Sequence, residues 1–306
     1  MPLAPQLHID GLLTNVSAKY ENAEYIHASI FPELPVGKGS DKIRTYVRNI
    51  RLQETLRTDK GEARDFSFEM TNSAYSVEHH ALKDIISQDE KEDNDVGDLR
   101  ADTVENLTDG IMLRKEKDFA DLFATTGNWS NNMSLTAAQS FALDTTTSAP
   151  VAFFDTATGT VLKESGKIAN KCILPYDGYI AVKNHSSIID RIKHTSRDIT
   201  KDMIGALLGV EDLKVPAAQN DTSAQGLTST LSNLFEDNAW VGYSAPRPGL
   251  KTPSAGYMIQ RKSKRGLYVN RWTEEKLDNA EVIEVNCKYQ FKIISSLSGF
   301  LLRDIV

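Results

Sequence analysis

The sequence predicts an α+β fold in which two compact domains carry an extended arm and a long β-hairpin. Three observations lead to this prediction. A strand-like stretch after residue 41 reaches a turn at Asp59-Lys60-Gly61, residues 102–126 have the apolar spacing of one long helix, and the last fifty residues alternate like antiparallel strands. Between the helix and these strands, short helical and strand patterns over residues 171–256 predict an inserted α/β domain.

The composition is that of an ordinary folded protein. The chain has 306 residues, of which 40% are hydrophobic and 25% charged, so global disorder is excluded. Its net charge of -7 argues against a protein that grips nucleic acid through a strongly basic surface. No apolar run approaches the ~18 residues of a membrane span, and two cysteines cannot form a disulfide framework. We therefore expect an intracellular protein that does not enter a membrane.

The N-terminal third is predicted to be extended. Prolines punctuate residues 1–40, and no clean apolar period appears there, which indicates an arm that lies on another surface. In residues 41–85, Arg44, Arg48 and Arg51 are interleaved with β-branched and aromatic residues, and the return limb alternates from Asp65 to Met70. Each limb would span ~40 Å at ~3.3 Å per residue. Because an isolated two-stranded ribbon is marginal in water, we expect it to pack on another part of the protein or on another subunit.

An acidic segment and a long helix follow the hairpin. Residues 88–98 are predicted to form a solvated acidic loop that contains Asp89, Glu90 and Asp93. Asp102 and Glu105 have the spacing of a capping box, and Gly127 is a suitable end for the helix, which would be ~37 Å long. A polar loop over residues 130–150 and a short helix over 156–171 are predicted to come next.

One dense basic cluster lies in the C-terminal strands. It consists of Arg261, Lys262, Lys264 and Arg265, followed by Gly266. A solvated hairpin turn explains it as well as a contact with phosphates or with an acidic segment of a neighbour does.

No motif in the sequence predicts catalysis, a cofactor or a metal. Gly37-Lys38-Gly39-Ser40 lacks the spacing of a phosphate loop, and residues 93–97 lack the distal glutamate of a calcium loop. His79 and His80 are neighbours on a predicted strand, so their rings would point to opposite faces. Cys172 and Cys287 lie in apolar strands, where a free thiol usually behaves as a small hydrophobe. We expect no enzyme activity.

Several segments, in order, resemble the tailed-bacteriophage major capsid proteins, which have the Hong Kong 97-like fold. Residues 75–87 resemble the end of that family's extended loop, and residues 95–127 resemble its acidic loop and spine helix. Residues 184–193 resemble the first helix of its axial domain, residues 246–257 the return to its peripheral domain, and residues 272–306 its closing strands. The resemblance covers most of the chain from about residue 25.

The resemblance implies a division of the chain and a structural role. It implies an N-terminal arm (1–40), an extended loop (41–85), a peripheral domain (86–170, with the spine helix at 102–126, and 257–306) and an axial domain (171–256). Subunits would form the hexamers and pentamers of an icosahedral shell around double-stranded DNA held without sequence specificity, with a portal and with scaffolding or decoration proteins as partners. The chain would be assembled in the host cytoplasm and reside in the virion.

The same resemblance suggests contacts between subunits. Arg44, Arg48 and Arg51 of the extended loop would pair with acidic groups of a neighbour, for which the segment containing Asp89, Glu90 and Asp93 is a candidate. Lys60 at the hairpin tip is a candidate for a covalent cross-link, although no feature identifies its partner, so we expect non-covalent contacts. An encapsulin-like nanocompartment shell of the same fold is the alternative reading, and an enzyme is a third.

Overall fold

The computed structural model describes residues 8–9, 25–46, 52, 55–57, 61–63, 65–66, 70–94, 97–135, 143, 148–192, 199–224, 227–249, 254–277 and 279–306. The strands in these ranges are β1 (His8–Ile9), β2 (Glu33–Val36), β3 (Ser40–Tyr46), β4 (Met70–Ser76), β5 (Glu78–Ile86), β6 (Asn131–Ser134), β7 (Lys171–Ile173), β8 (Asp212–Lys214), β9 (Gln219–Asp221), β10 (Leu231–Asn233), β11 (Ala239–Gly242), β12 (Gly256–Arg261), β13 (Leu267–Glu274), β14 (Ala280–Ile293) and β15 (Gly299–Arg303). The α-helices are α1 (His27–Ile30), α2 (Gln88–Glu92), α3 (Leu99–Ala124), α4 (Pro150–Ser165), α5 (Tyr176–Asn184), α6 (Ser186–Ile192) and α7 (Lys201–Leu207).

The first sheet is organised around the long strand β14. β5 pairs antiparallel with one edge of β14, and β12 and β13 pair one after the other with its opposite edge. β2 lies parallel to β12, and β1 pairs antiparallel with β13. Alternate residues of β14, from Ile283 to Phe291, join the core that contains Ile111, Phe119 and Phe123 of α3. A 26-residue helix therefore lies against the sheet and buries one face of it.

The β14 sheet and α3 form one compact unit of the chain, and a second sheet forms the core of another. Its strand order is β6-β15-β11-β7-β8, with β6 parallel to β15 and β8 parallel to β7. A separate core includes Phe154 and Val161 of α4, Val182 of α5 and Ile204 of α7. β9 and β10 form a small hairpin at this unit.

The short helix α1 connects the two units. At its start, the buried carboxylate of Glu116 on α3 accepts the backbone N–H groups of Ile26 and His27 at 3.0 and 3.2 Å. At its end, Lys171 of β7 donates to the carbonyl oxygen of Ser29, and Ser244 donates to that of Ile30. A helix of four residues cannot satisfy its own terminal groups, so side chains from both units do so.

The sequence placed some element boundaries wrongly. α3 begins at Leu99 instead of residue 102, because Asp98 is the N-cap and its side chain accepts the N–H of Arg100. α4 begins at Pro150 and ends at Ser165, so each end lies six residues earlier than in the predicted helix, 156–171. Proline suits the first turn of a helix, and Gly166 ends it with a positive φ at the C-cap.

Two predicted regions contain strands that belong to other sheets. The predicted extended loop, 41–85, includes β5, which pairs along β14 in the main sheet, so the separate β3–β4 ribbon ends at Ser76. The last strand, β15, leaves the closing sheet and pairs with β11 and β6. Its continuous buried run, Phe300 to Leu302, is typical of a strand covered on both faces.

Among the described helices, none combines the length and the apolar character needed to cross a membrane.

Candidate interaction surfaces

The β3–β4 ribbon has almost no core of its own. Its register runs from Ser40 opposite Ser76 to Tyr46 opposite Met70. It is tied to the main sheet at its base, where the Ser76 N–H donates to Gln290 of β14 at 2.8 Å. The Tyr75 hydroxyl donates to the Lys38 carbonyl, in the turn between β2 and β3, at 3.2 Å. Beyond the strands, the side chains of Leu52 and Leu56 are 101% and 88% exposed. The ribbon therefore presents apolar surface that this chain does not cover.

The basic residues predicted for the ribbon are only partly described. Arg44 lies on β3, exposed, opposite Asn72 of β4, and no described carboxylate is within salt-bridge distance of its guanidinium. Arg48, Arg51 and Lys60 lie outside the described residues. Their contacts stay a prediction.

The predicted acidic loop begins as a helix. Ser87 and Glu90 form a capping box at the start of α2, with bonds of 3.2 Å from the Glu90 N–H and 2.8 Å from the Ser87 N–H. Asp89, Glu90 and Asp93 are exposed, whereas Lys91 faces the sheet and pairs with Glu281 at 3.0 Å. The loop prediction failed here because the five helical residues Gln88–Glu92 are all polar or charged and give no apolar periodicity.

Glu281 is an electrostatic centre that sequence reasoning missed. Arg100 at the start of α3 donates to it through Nε at 3.0 Å and Nη2 at 2.9 Å, and Arg271 of β13 lies 3.3 Å from its other oxygen. Burial acts to raise the pKa of Glu281, but the hydrogen bonds from Lys91 and Arg100 outweigh it and leave that pKa lowered. These cations fix α2 and α3 against the end of the sheet. No local pattern in the sequence indicates that they meet.

The basic cluster is not a hairpin turn. β12 and β13 run in the same direction along one edge of β14, and the segment 261–266 bulges out between them. Buried Gln260 supports it by accepting the Gly266 N–H at 3.3 Å, and Gly266 has a φ of +75°, which an L-residue rarely adopts. Because β12 and β13 both stay paired to β14, the segment between them is held in place at both ends. We call this segment, residues 261–266, the basic loop.

Within the basic loop, two cations have partners in the same chain. Arg265 donates from Nε and Nη2 to Glu33 at 2.8 and 2.6 Å, and the Lys264 ammonium lies 4.5 Å from the centre of the Tyr268 ring. Arg261 and Lys262 are exposed, and no described carboxylate pairs with them. Nearby Lys288 has a pKa lowered by burial and by the charges of Lys264 and Arg261. The surface is thus crowded with positive charge.

The reactive side chains considered from the sequence occupy structural positions. His79 contacts Asn286 at 2.7 Å on one face of the sheet, and His80 stacks on Tyr289 at 4.4 Å on the other, as their adjacency on a strand predicts. Cys172 and Cys287 are buried, and burial raises the pKa of both thiols, which disfavours the nucleophilic thiolate. Among the described residues, no group of three or more His, Cys, Asp and Glu side chains could hold a metal ion.

The chain is similar to phage proteins in sequence and in overall fold. No family model matches the chain. It is 28% identical over 265 residues to the major capsid protein of Burkholderia phage BcepMu, covering 83% of this chain and 84% of that protein. Its fold is similar to that of a phage-related protein from Bordetella bronchiseptica RB50, with a TM-score of 0.77, 23% identity and 98% of each chain covered. It is also similar to the capsid structure of cyanophage P-SCSP1u, with a TM-score of 0.63, 10% identity, and 99% of this chain and 92% of that chain covered. The resemblance to phage major capsid proteins that the sequence indicated is therefore confirmed, and the chain shares the fold of phage capsids.

Proposed function

We propose that this chain is a phage major capsid protein whose copies assemble into the hexamers and pentamers of an icosahedral head. The observation that carries the proposal is the β3–β4 ribbon, which extends from the main sheet and leaves Leu52 and Leu56 without cover. Surface of this kind is a poor design for a monomer, because a two-stranded ribbon alone is marginal in water. A neighbouring subunit that receives the ribbon supplies the missing side of its core.

The architecture of the chain also suits a lattice of many weak contacts. The ribbon, the basic loop and the acidic helix α2 are separate surfaces on one subunit. Each can make a modest contact, and a subunit held by several such contacts at once is bound far more tightly than by any one of them. This supports a shell in which contacts are non-covalent. A cross-link through Lys60 is not needed for the proposal.

The Hong Kong 97-like division assigns roles to the two units. In this proposal the peripheral domain, residues 86–170 and 257–306, contains α3, α4 and β14. The axial domain, residues 171–256, contains α5 to α7 and is directed to the centres of hexamers and pentamers. The ribbon is the extended loop that lies across a neighbour, where Arg44, Arg48 and Arg51 meet acidic groups. Reversing Arg48 to Glu should then hinder assembly without unfolding the subunit, and normal particles from that variant would contradict the pairing.

The shell would enclose double-stranded DNA. A net charge of -7 is compatible with a container that touches phosphates loosely and does not grip them. The portal and any scaffolding or decoration protein are further partners in this proposal, the virion is where the chain resides, and the host cytoplasm is where it assembles. We assign no enzymatic step to the chain. A nanocompartment shell is not favoured, because the chain is similar in sequence to a phage capsid protein.

Sedimentation and electron microscopy of the purified chain test this function. We expect closed particles of uniform diameter, and particles isolated from infected cells should contain nuclease-protected DNA. A chain that stays monomeric under all assembly conditions would contradict the proposal. Closed particles that hold a protein cargo in place of DNA would favour the nanocompartment.

A further inference from the structure

Two surfaces of opposite charge lie on opposite edges of β14 in the main sheet. The basic loop, residues 261–266, bulges from the β12–β13 edge of β14, close to Lys288. The acidic helix α2 follows β5 on the other edge, and its Lys91 pairs with Glu281 near the start of β14. From residue 281 to residue 288 the strand covers roughly 23 Å at ~3.3 Å per residue.

That separation prevents the two surfaces from neutralising each other within one chain. The Debye length at physiological ionic strength is about 8 Å, well below the distance between them. On α2 the side chains of Asp89, Glu92 and Asp93 are exposed, and no described lysine or arginine pairs with them. On the basic loop, Arg261 and Lys262 are likewise exposed and without a described carboxylate partner. Each surface has the chemistry to bind the other.

We propose that the basic loop of one subunit binds the acidic helix α2 of a second copy of this chain. Contacts within the chain hold both surfaces in place. Gln260 and the Arg265–Glu33 pair support the loop. The Ser87–Glu90 capping box and the Lys91–Glu281 pair support the helix. Preformed charged surfaces suit a protein partner, because the positions of the opposite charges are then fixed on both sides.

The contact is heterologous, because it joins two different surfaces of identical chains. Each subunit offers its loop to one neighbour and its helix α2 to another, so repeated contacts close into a ring when the rotation between subunits allows it. This inference rests on the proposed shell function and assigns to it one specific contact between subunits. Packaged DNA is the competing partner of the basic loop, and Arg44 of the ribbon is the competing partner of α2.

A charge-swap experiment distinguishes these partners. The loop variant carries Arg261→Glu with Lys262→Glu, two side chains that make no described ion pair, and the helix variant carries Asp89→Lys with Glu92→Lys, which spares the capping box. We expect each variant to keep its circular dichroism and its melting temperature and to lower the assembled fraction at least about tenfold in sedimentation velocity. Combining the four substitutions should restore assembly to within about twofold of the unmodified chain.

The controls separate a specific pairing from a general charge effect. Lys163→Glu with Lys201→Glu lowers the net charge by the same amount as the loop variant does, at exposed positions of α4 and α7, and we expect it to assemble normally. Normal assembly of the loop variant would overturn the proposal, whether or not its particles retain less DNA. Rescue of the helix variant by Arg44→Glu, in place of the loop reversal, would overturn it as well.

The same measurement distinguishes failure of this inference from failure of the shell function. If the unmodified chain forms small rings instead of closed shells, the shell function is contradicted, while loss and rescue of the rings still support the pairing. If shells form in all variants, the shell function stands and the pairing is wrong.

Discussion

Glu116 of α3 and His27 of α1 are joined by a buried contact of 2.6 Å between Oε2 and Nδ1, 89 positions apart in the sequence. The same carboxylate accepts the backbone N–H groups of Ile26 and His27 and is fully buried. It thus supplies the cap that a four-residue helix cannot supply for itself. Because Lys171 and Ser244 of the second unit bind the carbonyl end of α1, this contact is one half of a connection between the two units.

Removing the carboxylate should loosen this connection. Glu116→Ala leaves two buried backbone N–H groups and the imidazole of His27 without their acceptor, and we expect it to lower the free energy of unfolding by about 3 kcal/mol. Urea titration followed by tryptophan fluorescence measures the change. Glu105→Ala, at an exposed position of the same helix, should change it by less than about 0.5 kcal/mol, and equal effects of the two substitutions would contradict the capping role.

Acidification should destabilise the fold at the same contact, because it places a charge on a buried ring. Burial lowers the pKa of His27 below its ordinary value of 6.5, against the opposing effect of the Glu116 hydrogen bond, and Lys115 and Glu33 also face the ring. The unfolded chain therefore binds a proton at a pH where the folded chain does not. The stability linked to His27 is fully present above pH 6.5 and is lost as the pH falls below that value.

Unfolding experiments at several pH values measure this dependence. His27→Gln removes the titrating ring, so we expect a smaller loss of stability between neutral and mildly acidic pH than in the unmodified chain. His80→Gln, at the ring that stacks on Tyr289, is the matched control and should leave the contribution of His27 in place. An unchanged pH dependence in His27→Gln would show that another group causes it.

Gly256 should not tolerate a methyl group. Gly256 is the first residue of β12. A Cβ atom at this position would lie 2.5 Å from Cζ of Phe31 and 2.8 Å from the backbone oxygen of Lys292. We expect Gly256→Ala to destabilise the chain by about 2 kcal/mol, because the backbone oxygen cannot move without disturbing the β12–β14 ladder. A thermal melt measures it.

Gly159 is the matched control for this substitution. A Cβ at Gly159, inside α4, meets nothing within 4 Å. Gly159→Ala should therefore stabilise the chain by about 0.5–1 kcal/mol through its higher helix propensity. Stabilisation by both substitutions would contradict the close packing at Phe31.

The exposed leucines of the ribbon should matter for assembly and not for folding. Leu52→Ser with Leu56→Ser changes two side chains that the chain itself leaves exposed, so we expect the melting temperature of the unassembled subunit to stay the same. The assembled fraction should fall at least about tenfold, because the substitutions reduce the apolar area that a neighbour can bury. Ile168→Ser, another exposed aliphatic side chain far from the ribbon in sequence, should assemble normally. Normal particles from the double variant would contradict this role of the ribbon.

The sequence predicted those parts of the fold in which local periodicity and packing agree. The apolar stripe from Val104 to Phe123 identified α3, and the alternation through β14 identified the closing sheet, because each pattern faces a single core. It missed the assignment of β15, whose all-apolar run does not show which strands flank it. The position of α1 could not be predicted either, because its hydrogen-bond partners Glu116 and Lys171 lie in distant parts of the chain.

The sequence shows which residues of the candidate surfaces are charged, but it does not show where the fold places them. The cluster Arg261 to Arg265 is plain in the sequence, yet its placement between two strands on one edge of β14 depends on a pairing that only the folded sheet defines. Glu281 had no such signal, since its partners Lys91, Arg100 and Arg271 belong to three different elements.

Cryo-electron microscopy of assembled particles tests the central claim most directly. We expect a closed shell in which the β3–β4 ribbon lies against a neighbouring subunit, with Leu52 and Leu56 covered there. A reconstruction in which the ribbon folds back onto its own chain, or a preparation that contains only monomers, would contradict it.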